Sequence, residues 1–94
     1  MSISPQSAEA IALQAVAWLV GNDDLLPVFL GATGASEHDL RNQLKDPAFL
    51  GAVLDFLLMD DAWVIACAEA QQIAPDRLAI ARAALPGGEQ THWT

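Results

Sequence analysis

The chain has 94 residues, a length that supports one hydrophobic core and not two. Apolar residues make up 53% of it, well above the range of disordered proteins, so a packed core is expected. Its 12 acidic and 4 basic residues give a net charge of −8. This charge argues against binding nucleic acid or an anionic membrane, because both require Lys and Arg beside phosphate groups. It favours solubility and attraction to a basic protein partner.

The cellular location follows from three features of the sequence. Cys67 is the single cysteine, which excludes an intramolecular disulfide framework and suits a reducing compartment. The segment Met1–Pro5 lacks the basic region of a signal peptide. The longest nearly apolar run, Pro47–Met59, is too short for a membrane span and contains Asp55. We therefore expect a cytoplasmic protein.

The first predicted helix runs from about Pro5 to Val20, with Ser4 as its N-cap and Gly21-Asn22 as a left-handed exit. One apolar stripe at helical spacing comprises Ala8, Ile11, Ala12, Ala15, Val16 and Leu19. A second apolar face carries Leu13, Ala17 and Val20. A helix with two such faces is either central to the bundle or covered by a second subunit.

The second and third predicted helices are short. The second begins near Asp23-Asp24, one of which is the expected N-cap, with Pro27 in its first turn. It ends between Gly31 and Gly34. The third begins with Ser36 and Asp39, a variant of the capping box, and has an apolar stripe of Leu40 and Leu44.

The fourth helix begins at Asp46-Pro47, a cap followed by proline at the first helical position. Its only small or polar line comprises Ala48, Gly51, Ala52 and Asp55. This line is either the solvent side or a place where another backbone approaches closely. The sequence leaves open whether the fourth and fifth helices are continuous.

Asp60-Asp61 caps the fifth helix, which reaches about Gln72, and Pro75 opens the sixth. The expected core positions of these two helices are Trp63, Val64, Cys67, Ala68, Leu78, Ala81 and Leu85. Pro86-Gly87-Gly88 ends the last helix. The sequence thus predicts an all-α fold, a compact bundle of five to six short helices. Residues 1–86 form its single domain and residues 87–94 a flexible C-terminal tail.

The chain resembles a family of small bacterial proteins catalogued as domain of unknown function 3572. The residues that carry this resemblance are Ala17-Trp18-Leu19, Phe29-Leu30 with Thr33-Gly34, Asp46-Pro47 with Phe49-Leu50, and Val53-Leu54-Asp55-Phe56. It spans about Ser7 to Leu85. The resemblance implies a helical fold and a bacterial cytoplasmic setting, and it carries over no active site.

Two short helices joined by a Gly-containing turn resemble a DNA-binding helix–turn–helix. The would-be recognition helix carries side chains that read bases or phosphates, Arg41, Asn42, Gln43 and Lys45. Against DNA binding, Glu37 and Asp39 stand at the start of this helix, where it would approach the phosphates. Helix pairs of this kind also occur in bundles of every function.

The sequence offers no catalytic or metal-binding set, and no cofactor is expected. Cys67 lies in mid-helix with no basic residue within a turn, which favours a buried, unreactive thiol. His38 and His92 do not fit a metal-ligand spacing. The acidic pairs Asp23-Asp24 and Asp60-Asp61 lack the spacing of a calcium loop and are explained as caps.

Asp55 and Trp93 are less easily explained. A carboxylate in an apolar run is either on the solvent side or buried against a donor, for instance the free N–H groups of another helix, Arg41 or Arg82. A structural role is the simpler interpretation, since a catalytic acid would need a second acid or base nearby. Trp93 lies in the predicted tail, and exposed Trp is enriched at binding hot spots.

Three functions remain open. The leading hypothesis is a non-enzymatic, acidic protein-interaction or regulatory module, whose interaction residues would be Asp23, Asp24, Asp55, Asp60, Asp61 and Trp93. Its partner would be a basic protein or, through the face with Leu13, Ala17 and Val20, a second copy. The second hypothesis is a small-ligand binder or minor enzyme with a pocket between helices that uses Asp55. DNA binding is third.

Overall fold

In the computed structural model, which describes residues 3–86, the chain folds into six α-helices and these residues include no strand. The helices are α1 (Pro5–Val20), α2 (Leu26–Thr33), α3 (Glu37–Asn42), α4 (Pro47–Leu57), α5 (Asp61–Gln71) and α6 (Asp76–Ala83). The predicted all-α bundle is confirmed, and α4 and α5 are separate helices. The predicted tail, 87–94, with Trp93 and His92, lies outside the described residues.

The first helix is the centre of the bundle, because α4, α5 and α6 all pack against it. Its buried residues are Ala8, Ala12, Ala15, Val16 and Leu19. The second apolar face stays open to solvent in the single chain, with Leu13 41% and Val20 49% exposed. Of the two arrangements that the sequence allows for α1, the central position is therefore present in the monomer, and the open face remains free for a further contact.

The N-terminal caps of α1, α4 and α5 are those predicted. Ser4 Oγ accepts the N–H of Ser7 at 3.1 Å. Asp46 and Asp60 each accept the N–H two residues ahead, at 3.0 and 2.8 Å. These bonds satisfy backbone donors that a helix leaves unpaired at its first turn.

The predicted cap of α2 is wrong. The helix begins at Leu26, and neither Asp23 nor Asp24 caps it. Instead, Asn22 Oδ1 accepts the N–H groups of Asp24 and Leu25, at 3.1 and 3.0 Å. An Asn side chain readily closes such a turn on the backbone two or three residues ahead. The turn precedes the helix, so both aspartates are left exposed.

The predicted left-handed exit of α1 is also wrong. Gly21 has a right-handed conformation (φ −81°), and its N–H donates to Ala17 within the last turn. Among the described residues, the left-handed positions are Gly34 (φ 76°), which ends α2 as predicted, and Gln72 (φ 61°). This conformation lets the next residue, Ile73, turn back toward the helix. The Ile73 N–H donates to the Ala68 carbonyl, and the Ile73 side chain packs on the core.

Aromatic rings join α2 to the bundle. Phe29 of α2 is fully buried and meets Phe56 of α4 edge to face, with ring centroids 5.2 Å apart. Phe56 in turn stacks on Trp63 of α5 at 4.9 Å. Aromatic pairs in these geometries add about 0.5–1.5 kcal/mol each beyond the area they bury.

Arg82 of α6 packs against the line of small and polar residues on α4. Its guanidinium donates to both carboxylate oxygens of Asp55, at 2.6 and 2.9 Å, and to the carbonyl of Pro86 at 2.8 Å. The same group lies directly on Gly51, where a Cβ would come within 2.6 Å of Arg82 Nη1. Arg82 is thus the donor for Asp55. Gly51 is buried beneath it, whereas Ala48 and Ala52 face solvent.

We predict that Gly51→Ala acts differently with and without Arg82. Replacing a helical Gly by Ala stabilises by about 0.5–1 kcal/mol where the Cβ has room. In Arg82→Ala the nearest remaining atom is the Pro86 carbonyl oxygen, 3.4 Å from the added Cβ and in ordinary van der Waals contact, so Gly51→Ala should raise the free energy of unfolding by that amount. With Arg82 in place the gain in stability should be smaller or reversed, because the guanidinium must move and weaken the three hydrogen bonds that it donates. Urea unfolding of the four proteins measures this coupling; an equal gain in both backgrounds would contradict it.

Candidate functional site

Two clefts flank α3, which forms a wall common to both. The capping box fixes where this wall begins, because Ser36 Oγ accepts the N–H of Asp39 at 3.1 Å while Asp39 Oδ2 accepts the N–H of Ser36 at 3.0 Å. Residues three and four apart on a helix share a face. Leu40 and Leu44 therefore face one cleft, and Asp39 and Gln43 face the other.

The apolar cleft lies between α1, α2 and α3 and has a volume of about 80 Å³. Its walls are Val16, Val20, Leu26, Glu37, Leu40, Arg41 and Leu44. Small-molecule pockets usually occupy about 300–1,000 Å³, so this cleft has the size of a side chain. At a rotation of about 100° per residue, Val20 lies between Val16 and Leu13 around α1. The cleft is therefore continuous with the exposed apolar face of that helix.

The Asp39 cleft lies between α2, α3 and α4 and has a volume of about 350 Å³. Its walls are Phe29, Thr33, Gly34, Ala35, Asp39, Gln43, Phe49 and Ala52. Asp39 is the one charged residue in this lining. Phe49 is half-buried and meets the buried Phe29 edge to face, with centroids 6.4 Å apart. The cleft thus combines an aromatic wall with polar acceptors.

The predicted acidic interaction residues are not brought together. Asp23 and Asp24 lie in the turn between Val20 and Leu26. Val20 and Leu26 line the apolar cleft, and the two aspartates do not. The side chain of Asp60 is hydrogen-bonded as the N-cap of α5, and Asp61 is exposed in the first turn of that helix.

Asp55 lines neither the apolar cleft nor the Asp39 cleft. Its side chain is 56% exposed, whereas that of its partner Arg82 is 15% exposed. The carboxylate therefore lies at the surface and holds a partly buried guanidinium, as expected for a structural role.

The side chains that suggested DNA reading do not share one surface. Helix α3 has only six residues, Glu37–Asn42. Arg41 lines the apolar cleft, and Gln43, beyond the helix, lines the Asp39 cleft. The Asn42 amide is 2.7 Å from His38 Nε2 on the outer side.

The comparison with known proteins gives one result. Residues 5–88 match the family described as "Protein of unknown function (DUF3572)". The chain belongs to this family. The match covers all six helices, and it confirms the resemblance seen in the sequence. No curated protein and no solved structure matches the chain.

The local patterns of the sequence do not indicate the Asp39 cleft, although four of its residues carry the resemblance to the family. These patterns identify Phe29, Thr33, Gly34 and Phe49 as packing and turn residues. They identify Asp39 as a capping residue and Gln43 as a side chain that could read bases. The signal for the cleft in the sequence is the four-residue spacing of Asp39 and Gln43. This spacing places both side chains on one face of the chain shortly after α2 ends.

Cys67 is fully buried, as predicted. Burial raises the pKa of its thiol, and a hydrogen bond from Gln71 at 3.6 Å lowers that pKa by a smaller amount. Residues 3–86 contain no group of three His, Cys, Asp or Glu side chains arranged to hold a metal ion. Within the same range, no helix is long and apolar enough to cross a membrane.

We predict that Cys67 makes the protein less stable in alkali. A buried neutral thiol with a raised pKa contributes stability that is complete below the pKa of the unfolded chain, about 8.5, and is lost as the pH rises through the folded pKa. The free energy of unfolding should fall more steeply between about pH 8 and 10 in the unmodified chain than in Cys67→Ala. Urea unfolding at several pH values gives both slopes, and equal slopes would contradict the prediction.

Proposed function

We propose that this domain is a non-enzymatic protein-interaction module of the cytoplasm, which binds a partner protein through the apolar cleft and the adjoining face of α1. The observation that carries the proposal is the continuity of these two surfaces. Leu13 and Val20 are 41% and 49% exposed, and Val20 is also a wall of the cleft. An apolar side chain of a partner would fill the cleft while its neighbours cover the helix face.

The charge of the chain supports a basic partner. The net charge of −8 attracts cationic proteins over several ångströms at physiological salt. Asp23 and Asp24 are exposed beside the apolar cleft, where they would meet basic side chains at its rim. Arg41, a wall of the cleft, would in turn donate hydrogen bonds to an acidic or polar residue beside the apolar anchor.

We predict that Val20→Gln weakens partner binding and that Val28→Gln does not. Both valines are about half exposed, at 49% and 48%, but only Val20 lines the apolar cleft. Both changes leave the net charge unaltered. Burying a whole Val side chain contributes about 1.5–3 kcal/mol, and about half of Val20 is still exposed, so affinity should fall about three- to tenfold. Quantitative mass spectrometry of proteins captured from the source-cell lysate, followed by titration of the captured partner, measures the effect.

Equal capture by the two variants would exclude the apolar cleft as the binding surface. A metabolite that stabilises the purified domain would favour the small-ligand hypothesis instead. A ligand at 100 times its dissociation constant adds about 2.7 kcal/mol to the stability, which a thermal shift would reveal.

A homodimer through the same face of α1 is the second version of the proposal. Two copies would bury Leu13, Ala17 and Val20 against each other, but each brings a charge of −8. The dimer should therefore strengthen with added salt, which screens the repulsion. Light scattering at high micromolar concentration in low and high salt tests this. A monomer under both conditions removes the homodimer and leaves the basic partner.

A further inference from the structure

We infer that the Asp39 cleft receives an arginine side chain of the partner. This inference rests on the proposed function and adds to it a second anchor point, on the opposite side of α3 from the apolar cleft. An arginine side chain needs an acidic acceptor, further acceptors in a similar plane and a surface on which the guanidinium can stack.

The acidic acceptor is Asp39. One of its carboxylate oxygens accepts the N–H of Ser36 in the capping box, which holds the side chain in place. The other oxygen has no hydrogen bond within residues 3–86, and Asp39 lines the cleft. Gln43, one turn further on, also lines the cleft, and its amide oxygen can accept a hydrogen bond. Two acceptors on adjacent turns suit the forked donors of a guanidinium.

The end of α2 adds negative potential. Thr33 and Gly34, the last residue and the C-cap of this helix, both line the cleft. The final carbonyl groups of an α-helix lack partners inside the helix and carry a partial negative charge. Gly34 and Asp39 thus bring the C-terminus of α2 and a carboxylate to the same cleft.

Phe49 supplies the aromatic surface. It is half-buried and held edge to face against Phe29, so its ring forms a fixed wall of the cleft. A cation over such a ring gains about 0.5–1 kcal/mol at an exposed site. The lining contains no basic residue, and Arg82 is engaged with Asp55. No side chain of the lining therefore repels a positively charged ligand, and the Asp39 carboxylate offsets the partial positive charge at the N-terminus of α3.

The test is a titration of the ¹⁵N-labelled protein with two peptides, acetyl-Ala-Arg-Ala-amide and its citrulline counterpart. Citrulline has nearly the shape of arginine and no charge. We expect the arginine peptide to shift the amide resonances of Gly34, Asp39, Gln43 and Ala52. The citrulline peptide should bind about tenfold more weakly, because charge-assisted hydrogen bonds are roughly twice as strong as neutral ones.

Three variants sharpen the test. Asp39→Asn keeps an oxygen for the Ser36 N–H but removes the charge, so it should abolish the preference for arginine over citrulline. Gln43→Lys places a positive charge in the cleft and should abolish binding. Gln14→Lys makes the same change of charge at an exposed position of α1 outside the cleft, and should bind as the unmodified protein does.

Equal binding of the two peptides, or resonance shifts confined to other residues, would overturn the inference. Free arginine or spermidine binding much more tightly than the peptide would also overturn it, in favour of a site for small amines. The two proposals fail separately. Loss of the captured partner in Val20→Gln, without an arginine preference, retains the interaction module and removes this anchor. An arginine preference, with partner capture unchanged in Val20→Gln, retains the arginine site and removes the apolar cleft as the binding surface.

Discussion

The packing of three helices onto α1 is the constraint on which the rest of the fold depends. Its contact positions are occupied by Ala8, Ala12 and Ala15, all without exposed surface. Small side chains let neighbouring helices approach closely, and the larger residues of α4, α5 and α6 fill the space between them. The three helices cover one side of α1 and leave Leu13, Ala17 and Val20 exposed on the other.

The short helices α2 and α3 are held in a different way. Phe29 anchors α2 to Phe56, and Leu40 is the one buried residue of α3. A six-residue helix with one buried side chain cannot fill the space on both of its sides. The clefts beside α3 follow from this shortage of apolar side chains. Both proposed anchor points, the apolar cleft and the Asp39 cleft, lie beside this helix.

Local chemistry made most of the fold predictable. Ser4, Asp46 and Asp60 cap their helices through hydrogen bonds that span two or three residues. Both partners of each bond therefore lie in one short segment of the sequence, where the pattern can be recognised. The left-handed Gln72 could not be predicted in this way, because it depends on the burial of Ile73 against distant helices. The Asp39 cleft was missed for the same reason, since its walls come from three helices whose arrangement no local pattern specifies. Asp55 and Arg82 are 27 residues apart, so the sequence offers Arg82 only as one of several donors for this carboxylate.

The two ends of the described chain line one cleft. Arg82 holds the Pro86 carbonyl at 2.8 Å, and Pro86 lines this cleft together with Pro5, the first residue of α1. The backbone therefore begins and ends on the same side of the bundle. A circular permutant that joins these ends by a short linker and opens the chain elsewhere would keep every helix contact of the core. The order in which the helices are synthesised is thus separable from the way in which they pack.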